Sequence, residues 1–308
     1  MIFEPAFVAK IQTAIESKDE DFFLQRLQPR KQPIKDISFA SALMVSAHRV
    51  KHLNKLDELQ CDVAILNLED GVAKEYKKMA LLATALILQQ PRKNLPMLVV
   101  RVNALDEGGM EEIAFLNDFY PDAIRIPKIR SKKDVQKSCE LVAEPIKLHF
   151  SVETKEAFAN LQDLAISPRI KAFYLGILDL FADLKIGQNL LKISNPTVDY
   201  ILAKFLVDCA SVGVKAVSFV YQDYQNLEEF EEWCRYEKEM GFEAKGCISP
   251  QQVAIVNRIL KSFDKQKALY IKQRFEEMAK QGITGFVDEK YGFIDEPIYK
   301  DALNILKK

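Results

Sequence analysis

Val63-Ala-Ile-Leu-Asn-Leu-Glu-Asp-Gly71 is an apolar run that stops abruptly at two carboxylates. A stretch of mostly aliphatic residues reads as a strand buried on both faces, the kind found in parallel sheets. Ionised side chains do not belong inside such a strand, so Glu69 and Asp70 are expected where it emerges. The pattern then recurs. Met97-Leu-Val-Val-Arg-Val-Asn103 carries Arg101 and Asn103, and Ala123-Ile-Arg-Ile-Pro-Lys128 ends in Lys128. Leu148-His-Phe-Ser-Val-Glu-Thr154 carries Glu153, and Phe173-Tyr-Leu-Gly-Ile-Leu-Asp179 ends in Asp179. Five successive strands that deliver charge at their C-terminal ends are how a barrel enzyme assembles its site.

Working outward, strands are expected at 39–45, 62–68, 97–103, 123–127, 148–153, 171–177, 215–221 and 243–248. Helical periodicity fills 49–60, 73–90, 110–118, 131–142, 155–165, 192–212 and 226–240. This alternation predicts an α/β fold, a closed (β/α)8 TIM barrel, with an open doubly wound sheet as the alternative. No GxGxxG turn follows the first strand, which counts against dinucleotide binding. The barrel is expected over 38–258, after an N-terminal helical extension (1–37). A C-terminal helical tail (259–308) follows it, with long helical stretches to Gly282, a loop over 285–295 and a short helix at 297–307. That tail exceeds what barrel closure needs, so docking on a neighbouring subunit is expected.

The 308 residues carry 43 Lys and Arg against 44 Asp and Glu, a formal net charge of -1, without a basic block. Nucleic acid is therefore not an expected partner. Charges interrupt every apolar stretch well short of a membrane span, and Met1-Ile-Phe-Glu-Pro5 lacks the basic-then-apolar order of a secretory leader. The five cysteines (61, 139, 209, 234 and 247) are odd in number and have no CxxC or metal-finger spacing. They read as small hydrophobes in a reducing, cytoplasmic protein.

Glu153 and Asp179 come from neighbouring strands, so their carboxylates can converge. Such a pair suits Mg2+, which takes oxygen ligands and keeps several waters for substrate. Alternatively each carboxylate caps the helix after its strand. Arg101 can hold a substrate carboxylate by two parallel hydrogen bonds, or form an ion pair with Glu69 or Asp70. Lys128 is open to pairing with Glu153, to acid catalysis or to a Schiff base. His48 and His52 read as a solvated helix face and His149 as a core residue. No Ser-His-Asp arrangement can be assigned.

With these residues in place, the chain resembles the citrate lyase beta-subunit-like proteins of the HpcH/HpaI aldolase/citrate lyase family, from about Ser41 to the C-terminus. Leu66-Asn-Leu-Glu-Asp70 resembles the family's LDLED, Val100-Arg-Val-Asn-Ala104 its VRINA and Ile126-Pro-Lys128 its LPK. Val152-Glu-Thr154 resembles IET, and Gly176-Ile-Leu-Asp-Leu180 resembles GAEDL. Val220-Tyr-Gln-Asp223 resembles VYPD, Ile248-Ser-Pro-Gln-Gln252 resembles IHPxQ and Phe293-Ile-Asp-Glu-Pro297 resembles MIDxP. Eight weak motifs in one order make a strong resemblance.

The resemblance implies a Mg2+-dependent carbon–carbon lyase or condensing enzyme, acting through an enolate on a citryl or malyl thioester, an acyl-CoA, or a 2-oxo or hydroxy acid. It implies Glu153 and Asp179 as metal ligands. Arg101 would bind substrate carboxylate, with Asn103 and Asp223 as further substrate contacts. Glu69, Asp70 and Lys128 would complete the catalytic group, Glu69 and Asp70 by ordering metal-bound water and Arg101. It also implies a homo-oligomer, with a trimer favoured. Several family residues are replaced: an arginine by Ala40, Pro-Gly by Ser46-Ala47, an aspartate by Asn67, a glutamate by Leu178 and a histidine by Ser249. These departures leave a second reading, a catalytically degenerate barrel that binds a small acid or a protein partner.

Overall fold

The computed structural model describes residues 1–307. The chain begins with α1 (Pro5–Ser17) and α2 (Glu20–Leu24), followed by β1 (Ser41–Ser46), α3 (Val50–Leu53), β2 (Val63–Asn67) and α4 (Lys77–Leu88). Next come β3 (Met97–Arg101), α5 (Met110–Leu116), β4 (Ala123–Ile126), α6 (Lys132–Leu141), β5 (Lys147–Val152) and α7 (Lys155–Ala159). The barrel finishes with β6 (Ile170–Leu175), α8 (Ile177–Leu184), α9 (Pro196–Ser211), β7 (Lys215–Val217), α10 (Leu227–Met240), β8 (Lys245–Cys247) and α11 (Pro250–Leu260). All eight strands are parallel, in the order β7-β6-β5-β4-β3-β2-β1-β8. A single bridge between Ser218, just past β7, and Lys245 of β8 brings the two ends of the sheet together. This is the expected TIM-barrel architecture.

Strand alternation sorts the core into two layers. Val63 and Ile65 of β2, Met97 and Val99 of β3, Ala123 of β4, and Ala172 and Tyr174 of β6 pack with one another inside the barrel. Their neighbours Ala64, Leu66, Leu98, Val100, Ile124 and Phe173 pack outward with the helices. That parity carries Glu69, Arg101, Arg125 and Glu153 into the interior. Loop chemistry then fixes where each helix starts and stops. Thr154 caps α7 by accepting from Ala157 N–H, Ser131 and Asp134 form a reciprocal capping box on α6, and Gly241 ends α10 at φ 106°.

At the opposite end of the barrel, Asp122 accepts from Leu98 N–H at 2.6 Å and from Lys35 N–H at 2.8 Å. The Lys35 ammonium in turn donates to the Arg92 carbonyl at 2.8 Å. The segment before β1 is thereby tied across the strand starts. Ile11, Ile15 and Phe23 bury the apolar faces of α1 and α2 against the barrel's helical layer.

Contacts divide the chain after Leu260 into a second unit. It comprises α12 (Lys265–Ala279), an antiparallel hairpin of β9 (Gly285–Asp288) and β10 (Gly292–Asp295), and α13 (Glu296–Lys307). The hairpin replaces the loop expected over 285–295. Asp288 Oδ1 accepts from the N–H groups of Lys290 and Tyr291, and Gly292 takes φ 75°, so a tight turn forms. Phe286 and Ile294 then pack with Ala268, Ile271 and Phe275. The helix expected over 49–60 shrinks to the single turn of α3, and β7 and β8 have three residues each.

Candidate active site

The ends of β2, β3, β4 and β5 bring five sequence-predicted residues together. Arg101 Nη2 is ion-paired to Glu69, lies 3.5 Å from Asp70 Oδ2 and 3.9 Å from Glu153 Oε2. Lys128 Nζ lies 3.6 Å from Glu69 Oε1 and 3.5 Å from Glu107 Oε2, while the Lys128 N–H donates to Glu153 Oε1 at 2.8 Å. Asn67 shapes the turn beneath them, accepting from Glu69 N–H and donating to the Asp70 carbonyl. Gly71, at φ 81°, completes that turn. An aspartate at position 67 could accept but could not donate to Asp70.

Burial drives the electrostatics. Glu69 is pushed up to about 7 by loss of solvent, with Asp70 and Glu153 adding to the shift and Arg101 and Lys128 opposing it. Partial burial works against the Lys128 ammonium, yet Glu69, Glu107 and Asp70 hold it above the ordinary lysine value. Arg101 Nε is buried without a hydrogen-bond partner, and the Glu69 carboxylate oxygens, though ion-paired to Arg101 and Lys128, have no partner in hydrogen-bond geometry. Polar atoms in that condition are normally satisfied by water, ion or ligand.

The donor set fits Mg2+ by its chemistry, since carboxylate oxygens of Glu69, Asp70 and Glu153 gather at these strand ends. No group of three or more His, Cys, Asp or Glu side chains close enough to hold a metal occurs among the described residues. Mg2+ does not need one, because it is held through one or two carboxylates with water and substrate oxygens filling its other positions. Glu153 is buried, and the room for its carboxylate is made by Gly176 at the end of β6. Asp179 is exposed in the first turn of α8, two residues inside the helix rather than at the strand end the sequence suggested.

Asn103 and Asp223 stand apart from this cluster. The side-chain amide of Asn103 donates to Glu112 Oε1 and the Leu68 carbonyl and accepts from Lys77, so it braces the β2 and β3 ends. Asp223 is exposed and its carboxylate accepts from the N–H groups of Gln225 and Asn226 in the turn before α10. Beside the cluster lies a cavity of about 850 Å³, whose lining includes Ser46, Arg49, His52, Lys55, Asp70 and Ser249. Asp70 belongs to both cavity and cluster. Ala40 lies elsewhere: its carbonyl accepts from Lys245 N–H at the start of β1, at the barrel end remote from Glu69. Of the other replaced positions, Ser46 and Ser249 line the cavity.

Sequence reading passed over Arg125. This residue is buried inside the barrel, donates from Nε to Ser151 Oγ at 3.0 Å and stacks its guanidinium 4.1 Å from the Tyr174 ring centroid. The Tyr174 hydroxyl lies 3.3 Å from His149 Nδ1, which confirms His149 as a core residue. Parity held the signal, since an arginine inside Ala123-Ile-Arg-Ile126 shares a face with Ala123.

The sequence pattern of the HpcH/HpaI aldolase/citrate lyase family matches residues 40–250. The chain belongs to that family. Among its relatives is a (3S)-malyl-CoA thioesterase of Cereibacter sphaeroides, 28% identical over 247 residues, covering 79% of this chain and 85% of the relative. The citrate lyase subunit beta of Haemophilus influenzae is 28% identical over 263 residues, covering 80% and 88%. The human mitochondrial citramalyl-CoA lyase is 26% identical over 285 residues, covering 86% and 83%. Two of these three names denote carbon–carbon lyases, and this chain is a citrate lyase beta-subunit-like enzyme. Its fold matches that of CitE from Mycobacterium tuberculosis in complex with magnesium, acetoacetate and coenzyme A. The TM-score there is 0.69 at 22% identity, over 88% of this chain and 99% of that one.

Proposed function

We propose that this family member is a Mg2+-dependent carbon–carbon lyase, or the matching condensing enzyme, for the thioester of a short hydroxy or 2-oxo acid. The observation that carries the reading is Arg101, fixed by Glu69 and Asp70 beside Glu153, with Asp70 shared between this cluster and the lining of the adjoining cavity. Arg101 binds the substrate carboxylate, using the buried Nε that no protein acceptor fills. Glu153 and Asp179 hold Mg2+, which when bound polarises the substrate carbonyl and offsets enolate charge. Glu69, with its carboxyl raised into the neutral range, holds or releases a proton at Oε1 next to the Lys128 ammonium. Asn103 and Asp223 serve the scaffold, their side chains being engaged within the protein.

The cationic groups lining the cavity, Arg49 and Lys55, suit the phosphates of a coenzyme A thioester, while burial and these two charges keep the His52 imidazole neutral. The test is calorimetric Mg2+ titration with and without oxaloacetate on wild type and Glu153→Ala, followed by turnover of malyl, citramalyl and citryl thioesters. Metal binding that needs Glu153 and tightens oxaloacetate supports the reading. Silence in both the titration and the turnover screen would refute it. Hydrolysis without carbon–carbon cleavage would move the chain toward the thioesterase relatives.

The working form in this reading is a cytoplasmic homo-oligomer, a trimer by family resemblance, and free buried thiols at Cys209, Cys234 and Cys247 suit a reducing compartment. No helix among the described residues is long and apolar enough to cross a membrane. In the second unit Val287 (80% exposed) and Phe293 (60% exposed) are cross-strand partners, a small apolar face that suits a neighbouring copy. Sedimentation of the full chain and of Phe293→Asp tests this, and an unchanged oligomer would refute that placement.

A further inference from the structure

Glu153 is held from both sides by backbone. On one side Pro127 ends the line of β4 and Lys128 takes φ 53°, the left-handed region that a non-glycine residue enters only when its surroundings enforce it. That turn aims the Lys128 N–H at Glu153 Oε1, 2.8 Å away. The Lys128 side chain leaves in another direction, toward Glu69 and Glu107. On the other side stands Gly176, just past β6. A Cβ there would lie 2.6 Å from Glu153 Cβ and 2.7 Å from Oε2, closer than real Cβ atoms approach anything. Strand β5 pairs with β4 and β6, so one neighbour supplies the donor and the other supplies the space.

We propose that Lys128 and Gly176 are positioning residues for Glu153, the first through its peptide N–H and the second through its missing side chain. Together they fix Oε1 and leave Oε2 on the Arg101 side, 3.9 Å from Nη2. The proposal deepens the metal-site reading above and, in its consequence for Mg2+, rests on it. It also divides position 128 into two separable functions. The left-handed peptide orients a carboxylate, while the ammonium balances Glu69. Glycine at 128 keeps the first and removes the second, and a β-branched residue disfavours the turn itself.

Two measurements on the full chain test this. With ¹⁵N-lysine labelling, the Lys128 amide should exchange with solvent at least tenfold faster in Glu153→Ala and in Gly176→Ala than in wild type. In calorimetry, Gly176→Ala should weaken Mg2+ binding at least tenfold, whereas Lys128→Gly should stay within threefold of wild type. Should Gly176→Ala fail to fold, Lys128→Val carries the calorimetric arm with the same expected loss. A folded Glu153→Ala whose Lys128 amide exchanges at the wild-type rate overturns the proposal. So does a Gly176→Ala or Lys128→Val that binds Mg2+ as tightly as wild type. If wild type binds no Mg2+, the metal reading fails and the exchange rates still decide whether Glu153 is clamped.

Discussion

Arg101 and Arg125 are register partners on β3 and β4, so two guanidiniums lie side by side inside one barrel. Their surroundings differ. Arg101 is ion-paired to Glu69, whereas Arg125 rests on Ser151 and the Tyr174 ring. Burial, reinforced by Arg101, pushes the Arg125 guanidinium down to about 10, with Tyr174, Glu153 and Glu69 opposing.

Removing the two charges should therefore have unequal effects. Arg101→Met leaves the buried Glu69 with only the Lys128 ammonium 3.6 Å away and should cost about 3 kcal/mol. Arg125→Met exchanges a desolvated cation for an apolar chain and should stay within about 1 kcal/mol of wild type. Denaturant unfolding at pH 7 measures both, and equal losses would contradict the distinction.

His149 gives the protein a specific acid sensitivity. It is packed against Phe39 and Tyr174, and burial, then the Arg125 charge, push its imidazole down to about 3. In the unfolded chain the same group takes a proton near 6.5. Between those values the unfolded state binds more protons, so stability falls as pH drops through that window and is unaffected by His149 above it. From pH 7 to pH 5.5, wild type should lose about 1 kcal/mol more than His149→Gln in urea unfolding. Parallel pH slopes for the two proteins would sink the idea.

Lys245 and Glu237 form a fully buried pair at 2.5 Å, with the ammonium 4.0 Å from the Phe219 ring centroid. Lys245→Met alone strands Glu237 and should cost about 3–5 kcal/mol, whereas Lys245→Met with Glu237→Leu should recover most of that. A double-mutant cycle by thermal unfolding reads the coupling, and additive losses would show that the pair is not coupled.

Charge reversal at the cavity rim separates carrier recognition from chemistry. Arg49→Glu and Lys55→Glu should each raise KM for an active coenzyme A thioester about tenfold, the worth of one charge-assisted hydrogen bond. The corresponding pantetheine thioester, which lacks the nucleotide phosphates, should be unaffected. Steady-state kinetics on both substrates decides, and an equal loss on the two would remove the rim from phosphate binding.

The barrel was legible because its strands are apolar runs ending in charge, and Glu69, Arg101, Lys128 and Glu153 do meet at those ends. Asn103 sits just past a strand end as expected, while its bonds to Glu112 and Lys77 come from neighbouring helical segments that strand pattern alone does not bring together. Arg125 was hidden for the opposite reason: an isolated arginine in an apolar strand looks like noise until strand parity shows which face it shares. The hairpin of β9 and β10 was missed because Gly and Asp around it signalled a loop, and only packing against α12 makes the alternation of Phe286 and Ile294 decisive. Ala40 shows what local pattern omits, since only the strand register places this motif position before β1, at the end away from Glu69.

The β1–β8 pairing joins residues roughly 200 positions apart, as Ser41 opposite Lys245 shows, and closes the largest loop in the barrel. A ribosome that has released only the first 180 residues has already produced Glu69, Arg101, Lys128, Glu153 and Asp179, on or beside five consecutive strands. The cavity wall, drawn from β1 and the β8 end, is complete only when the last strand arrives. Reactive groups and the vestibule that feeds them thus belong to different moments of synthesis, and a nascent chain carries its charges before it owns a doorway.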